Sequence, residues 1–275
     1  MPSPAYADLH THTHCSDGTQ APGALVQQAA ARGVAALAVT DHDTVAGLEA
    51  AQAEAAGRDL QLVTGVELSV AVEGRGLHLL GYGFDPGHPA LTQYLSAFTE
   101  RRRARFDQMV ERLSEVGVTV SNGIVQRHVA ESAAPGRPHL ARALVEAGHV
   151  DCSADAFAEY LGRGQPGYVP APTQPAAAAI EALHAAGGVA VLAHPGQWTP
   201  SAVLTTLRQH GLDGIECVCP SHPDYLEEHY RRMCQAHDLL VTGGTDYHGR
   251  PARSRRPGDT GLTPAQWERF RPSVL

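Results

Sequence analysis

A chain of 275 residues with 43% hydrophobic content is long enough to bury a substantial core as one large α/β domain, or as one domain with a small insertion. Its formal net charge of −8 argues against general binding to polyanions, which needs an excess of basic surface; clustered divalent cations would nonetheless draw a phosphorylated ligand locally. No apolar run of about 18 residues occurs, and the first motif begins at Asp8, so a cytoplasmic protein without a membrane span or signal peptide is expected.

In chain order, YADLHTHT reads as a strand, PGALVQQAAARG as a helix and AALAVTDHD as a second strand. An Ala-rich helix over 45–56 and the strand QLVTGVEL follow, and this spacing implies parallel pairing with right-handed crossovers. After LHLLGYG the rhythm changes. From about residue 90 to 168 the pattern is helical, in LTQYLSAFTERRRARFDQMVERLSEVG, RPHLARALVEAGHV and ADAFAEYLG, and it ends in the Pro- and Gly-rich GQPGYVPAPTQP. The expected organisation is therefore a main domain of residues 1–89 and 169–275 with a helical insertion at 90–168. Strand and helix alternate again through VAVLAHPG, GIECVCPSH, DYLEEHYRRMCQAHD and LLVTGGTDYH, and TPAQWERF closes the chain as a helix. Gly243-Gly244 is suited to close backbone packing.

Metal-capable side chains recur just after the apolar runs: His10 and His12, Asp41 and His42, Glu67, His78, His194, Glu216 and His222, Asp246 and His248. His10 and His12 alternate along an extended segment and so share a face, a spacing suited to two ligands of one ion. A barrel of parallel strands would gather such strand ends on one rim. The recurrence predicts a metal site of carboxylate and imidazole without thiolate, a set that suits Mn, Fe or Zn. Five scattered cysteines argue against a disulfide framework, and Cys217-Val-Cys219 reads as core packing rather than a metal pair; Cys15 lies near the site without being a ligand.

Together DLHTHTHCSDG, TDHD, GVELS, the LH before LLGYG, AHPG and GTDYHG resemble the PHP (polymerase and histidinol phosphatase) family nearly end to end. Within it the chain looks most like bacterial 3′,5′-nucleoside bisphosphate phosphatases, some of which are also 5′-to-3′ exoribonucleases; Ser16-Asp17-Gly18, RPHLAR and LGRGQPGYVP are the pointers. The resemblance implies a distorted seven-stranded β/α barrel holding two to three divalent ions. It assigns His10, His12, Glu67 and Asp246 to a first ion, Glu67, His78 and His194 to a second, and Asp17, His42 and His248 to a third. Asp17 separates this chain from histidinol phosphatases, which typically carry His there. His14 is better read as an exposed or supporting histidine, and Asp8 and Asp43 as carboxylates orienting ligands.

The implied reaction is hydrolysis of a phosphate ester by a metal-held hydroxide, with no covalent enzyme intermediate, on a small nucleotide or a short 5′-phosphorylated oligonucleotide rather than a long duplex. Asp17, His42, Glu67, Asp246, His248 and His222 are the candidate catalytic residues. Arg137, His139 and Arg142 are candidates for gripping a second phosphate, against the alternative of a solvated helix face. Ser221 and His222 either touch phosphate or protonate the leaving group, or else form a turn. Arg101-Arg102-Arg103 with Arg105 is expected to be mostly exposed. Two alternatives stand beside this reading, a phosphatase for a small nonnucleotide metabolite such as histidinol phosphate and a noncatalytic PHP interaction module.

Overall fold

The computed structural model describes residues 5–130, 132–197, 199–249 and 255–275. β1 (Ala7–Asp8), α1 (Pro22–Ala31), β2 (Ala36–Val39), α2 (Leu48–Ala55) and β3 (Gln61–Val72) follow in strand–helix alternation, and β1, β2 and β3 pair in parallel. β3 outlasts β2 and turns back through Glu73-Gly74, both at positive φ, into β4 (Arg75–Tyr82). Two consecutive left-handed residues make the tight turn whose twist matches a hairpin.

β4 is therefore antiparallel to β3, and also to β6 (Val189–Leu192). This corrects the expectation of parallel pairing at every strand. A two-residue turn reverses the chain, whereas a parallel return needs a crossover of a dozen residues or more. His78 consequently reaches the rim from the first half of its strand, while Glu67 lies within β3, two pairs along from the Ser69–His78 register.

α3 (Pro89–Glu115), α4 (Asn122–Val129), α5 (Arg137–Glu146) and α6 (Ser153–Ala156) follow, with a π turn at Phe157–Leu161. They share a core of their own, in which Phe106, Met109, Leu113, Val125, Leu140 and Leu144 meet. β5 (Gln174–Pro175) pairs briefly with β3, and α7 (Ala176–Ala185) leads into β6. α8 (Ser201–Gln209), β7 (Gly214–Val218), α9 (Asp224–His237), β8 (Leu240–Gly243) and α10 (Pro264–Phe270) complete the chain. The sheet runs β1-β2-β3-β4-β6-β7-β8, and the Leu9 amide donates to the Gly243 carbonyl at 3.1 Å, so the barrel nearly closes.

Strand alternation separates two environments. Leu37, Val39, Val66, Leu68, Val70, Leu79 and Leu192 face the surrounding helices. Ala36, Ala38, Val63, Leu80, Tyr82 and Val191 face the interior, where Trp267 and Phe270 of α10 plug one end. Small alanines on β2 leave room for the plug. Glu67 shares the interior-facing parity of Val63, and His78 that of Leu80, so both carry polar groups into the opposite end.

Closure depends on a tight approach between the two ends of the sheet. A Cβ on Gly244 would sit 2.4 Å from both the backbone nitrogen and the Cβ of His10. Gly244→Ala is therefore expected to lose about 1–3 kcal/mol, the usual cost of overpacking a filled core, read as a lower urea midpoint at unchanged m-value. A stability equal to that of the unsubstituted chain would show that this approach is slack.

Candidate metal centre

Glu67 has no exposed surface and lies among histidines contributed by four separate segments. Its Oε1 is 2.9 Å from His78 Nδ1 and 2.9 Å from His194 Nε2. Its Oε2 faces His42 Nδ1 at 3.1 Å, His12 Nε2 at 3.2 Å and His10 Nε2 at 3.3 Å. Asp246 Oδ1 approaches His12 Nε2 at 3.4 Å and His10 Nε2 at 3.7 Å. Asp17 Oδ1 lies 3.1 Å from His248 Nε2 and 4.0 Å from His42 Nε2. All nine residues to which the resemblance assigns metal are thus brought together, in overlapping groups whose donor atoms lie within 4.8 Å of one another: His10, His12 and Asp246; His10, Glu67 and His194; His42, Glu67 and His78; and His12, Asp17, His42 and His248.

The donor atoms fit cations. His10 Nε2, both nitrogens of His12, His42 Nδ1, His78 Nδ1 and Glu67 Oε2 are buried and make no hydrogen bond. So many unsatisfied buried polar atoms at one point are costly unless positive ions sit between them. The local field agrees. Burial works against the charge of Glu67, but His42, His78 and His10 outweigh it and hold its carboxyl well below the ordinary range. Burial likewise opposes protonation of His12, yet the adjacent carboxylates of Asp246 and Glu67 push its imidazole up to about 10. The carboxylates make this a place that seeks positive charge.

A ring of buried carboxylates holds the donors in position. Glu216 Oε1 accepts from His10 Nδ1 at 2.9 Å, which turns the Nε2 lone pair toward the cluster, and its Oε2 accepts from the His194 amide at 2.7 Å. Asp8 accepts from the Thr245 amide at 2.9 Å and hydroxyl at 2.7 Å and from the Gly258 amide at 2.9 Å, tying the first and last segments of the rim. Burial pushes its carboxyl up to about 6 against these bonds. Asp41 turns away from the cluster to accept from the Thr13 amide at 2.8 Å and hydroxyl at 2.6 Å. Asp43 accepts from the Ser69 amide at 2.7 Å and hydroxyl at 2.8 Å and pairs with Arg102. His194, Asp246 and Asp43 all hold positive φ, of 28°, 51° and 54°, backbone strain concentrated at the rim.

The candidate substrate residues divide. Arg137 lines the cleft beside Asp17, His42 and His78, with its guanidinium 5.6 Å from the Phe157 ring centroid and 5.8 Å from that of Tyr168. Arg142 donates to the Asp17 carbonyl at 3.4 Å, and the buried His139 accepts from the Gly136 amide at 3.2 Å, capping α5. Burial, with Arg142 beside it, pushes His139 down to about 4, so the ring is neutral near pH 7. His222 turns both nitrogens to main-chain carbonyls, Nδ1 to Cys217 at 2.9 Å and Nε2 to Pro195 at 2.6 Å, and stacks on Tyr230. Ser221 is exposed, its hydroxyl 3.1 Å from Cys219 Sγ. Cys217 packs 3.7 Å from Cys234 within the core, and no cysteine joins the donor groups among the described residues.

Arg102 and Arg105 depart from expectation. Arg101 and Arg103 are exposed, but Arg102 is half-buried against Asp43 and Arg105 is buried, both lining the cleft. The signal was in the helix period: Phe98, Arg105, Phe106, Met109 and Leu113 fall on the buried face of α3. The double role of Glu216 left no such signal, since it needs β6 and β7 side by side.

Glu216→Gln removes the charge while keeping the volume, so His10 loses its charge-assisted partner. Retention of a divalent ion should weaken about 10–100-fold with the fold intact, measured by competition with a coloured chelator and by circular dichroism. Unchanged retention would remove Glu216 from the support of the site.

Residues 8–159 match the PHP domain model. The chain is 37% identical over 249 residues to the 5′-3′ exoribonuclease Rnm of Escherichia coli, covering 88% of this chain and 84% of the relative. It is 35% identical over 263 residues to the 3′,5′-nucleoside bisphosphate phosphatase of Chromobacterium violaceum, covering 93% and 92%. A crystal structure from Bifidobacterium adolescentis, described as a metal-dependent phosphoesterase, superposes with a TM-score of 0.90 at 32% identity over 100% of this chain and 98% of that one. With its motifs, its nearly closed mixed barrel and its rim of gathered donors all in place, the chain belongs to the PHP domain family.

Proposed function

We propose that this chain is a metal-dependent phosphoesterase that hydrolyses a phosphate monoester of a nucleotide, such as 3′-phosphoadenosine 5′-phosphate, or trims short 5′-phosphorylated oligonucleotides. The observation that carries this is Glu67, fully buried, with both carboxylate oxygens directed at imidazoles that make no other use of their lone pairs. The relatives named above act on nucleotides or RNA, which supports the substrate class.

Divalent cations held by this donor set would supply acidification of a water and neutralisation of phosphoryl charge. The chain's residues do the rest. His10, His12 and Asp246 supply one group of donors, Glu67 with His78 and His194 a second, and Asp17, His42 and His248 a third, with Glu67 shared. Two to three ions, of Mn, Fe or Zn, suit these groups. Glu216 fixes the tautomer of His10, and Arg142 holds the Asp17 turn. His222, bonded to the Pro195 carbonyl, steadies the segment after His194. No helix among the described residues is long and apolar enough to cross a membrane.

The test is to strip the protein, reload it with Mn, and assay 3′-phosphoadenosine 5′-phosphate, a short 5′-phosphorylated RNA and histidinol phosphate. Turnover of either or both of the first two, lost on stripping and restored on reloading, is expected. Turnover of histidinol phosphate alone would move the chain to a nonnucleotide substrate, and indifference to all three with metal bound would favour an interaction module.

Within the site, His42→Ala and Asp246→Ala should each cost more than the about 10–100-fold typical of a lost supporting contact, at unchanged circular dichroism. A variant retaining most of its kcat would take that residue out of the reacting centre.

A further inference from the structure

The turn that carries Asp17 is held from two sides. From the barrel, Asp41 Oδ1 accepts from the Thr13 amide at 2.8 Å and the Ser16 hydroxyl at 2.5 Å, and its Oδ2 accepts from the Thr13 hydroxyl at 2.6 Å. From the helical insertion, three successive main-chain carbonyls are met in order. The Cys15 carbonyl accepts from the Ala133 amide at 2.9 Å, the Ser16 carbonyl from the Ser132 hydroxyl at 2.8 Å, and the Asp17 carbonyl from Arg142 Nη1 at 3.4 Å. His139 adds a second bond to the Ser16 main chain: its Nδ1 accepts from the Gly136 amide at 3.2 Å, so the other nitrogen carries the proton and donates. Ser16, Ser132 and His139 are 0%, 5% and 1% exposed, so water does not stand in for these partners.

A buried carbonyl without a partner is costly, so the path of this turn is decided by what its carbonyls find. The other donors are fixed differently. Glu67 and His78 lie on paired strands, where the ladder sets their positions whatever the insertion does. Asp17 lies between β1 and α1 with no ladder around it, and the insertion that bonds its neighbours has a core of its own. We propose that Ser132 and His139 are positioning residues. By holding the Ser16 carbonyl they fix Asp17 Oδ1 3.1 Å from His248 Nε2, and so make one donor group, that of His12, Asp17, His42 and His248, depend on the helical insertion. This rests on the metal-dependent reading above. It also takes His139 out of the candidates for gripping phosphate, since both ring nitrogens are engaged within the protein.

The experiment measures the retention of successive Mn ions, by competition with a coloured chelator, in the unsubstituted protein, in Ser132→Ala, in Asp17→Asn and in the double variant, with circular dichroism alongside. Ser132→Ala should weaken one step of binding about three- to tenfold, the worth of one hydrogen bond, and leave the other steps within about twofold. Asp17→Asn should weaken the same step. Adding Ser132→Ala to it should cost nothing more, because the bond acts only through that carboxylate. A hydrogen bond that merely seals the insertion to the barrel would instead act equally in both backgrounds. That result, a uniform loss at every step, or no change on Ser132→Ala overturns the proposal. If Asp17→Asn changes no step the proposal falls as well, while hydrolysis through the Glu67 groups still stands. The expected pattern in a protein that turns over none of the three substrates above would keep the positioning role and sink the hydrolase reading instead. His139→Phe, which keeps a ring in place and removes the donor, repeats the comparison should Ser132→Ala fail to fold.

Discussion

A carboxylate without solvent, placed between the rings of five histidines, is the constraint around which this molecule is arranged. Glu67 is buried by β3 and reached from the first segment, from the loops after β2 and β6, and from β4. Ionised and alone it would be strongly destabilising in the interior, and the neighbouring imidazoles, with their unmet lone pairs, would be little better off. The arrangement suits a host for positive charge. Most of the other buried polar groups at the rim serve that host: Glu216 aims His10, Asp8 ties Thr245 and Gly258 to the first strand, and Asp41 fixes Thr13.

The barrel divides its labour along its axis. At one end alanines on β2 admit the aromatic plug of Trp267 and Phe270, and this apolar end bears the burial energy. At the other end the same strands present Glu67 and His78, and the loops add the remaining donors. The strain of left-handed backbone at His194, Asp246 and Asp43 is confined to that end, where the plugged core and the bonded carboxylates hold it. The helices from α3 to α5 bring a different ingredient. Although the chain as a whole carries a charge of −8, the face these helices turn to the rim is cationic, so the surface opposite the donors is prepared for an anion while the exterior is not.

Most of the candidate donors were legible in the sequence because they follow apolar runs, and alternation alone places His10 and His12 on one face, whereas Asp17 came only from the family resemblance. The parallel β1-β2-β3 start was legible too, from strand and helix lengths. The reversal of β4 was harder, since Glu73-Gly74 is a short signal within what reads as one long strand region, and two positive φ values decide it. Arg105 carried a readable sign in its place on the apolar stripe of α3, but a run of four arginines over five positions pointed toward solvent.

What the sequence determined by itself is the inventory: which side chains are metal-capable and that most of them recur just after apolar runs. Local periodicity and residue chemistry suffice for that. Only the tertiary structure decided how the donors group, that Glu67 presents one oxygen to His78 and His194 and the other to His10, His12 and His42, and that Glu216 supports two of them from behind. It also decided that Arg105 lies buried in the cleft with a nitrogen unmet. These are contacts between segments far apart in the chain, set by strand register and by barrel closure at Gly244, and no local pattern encodes them.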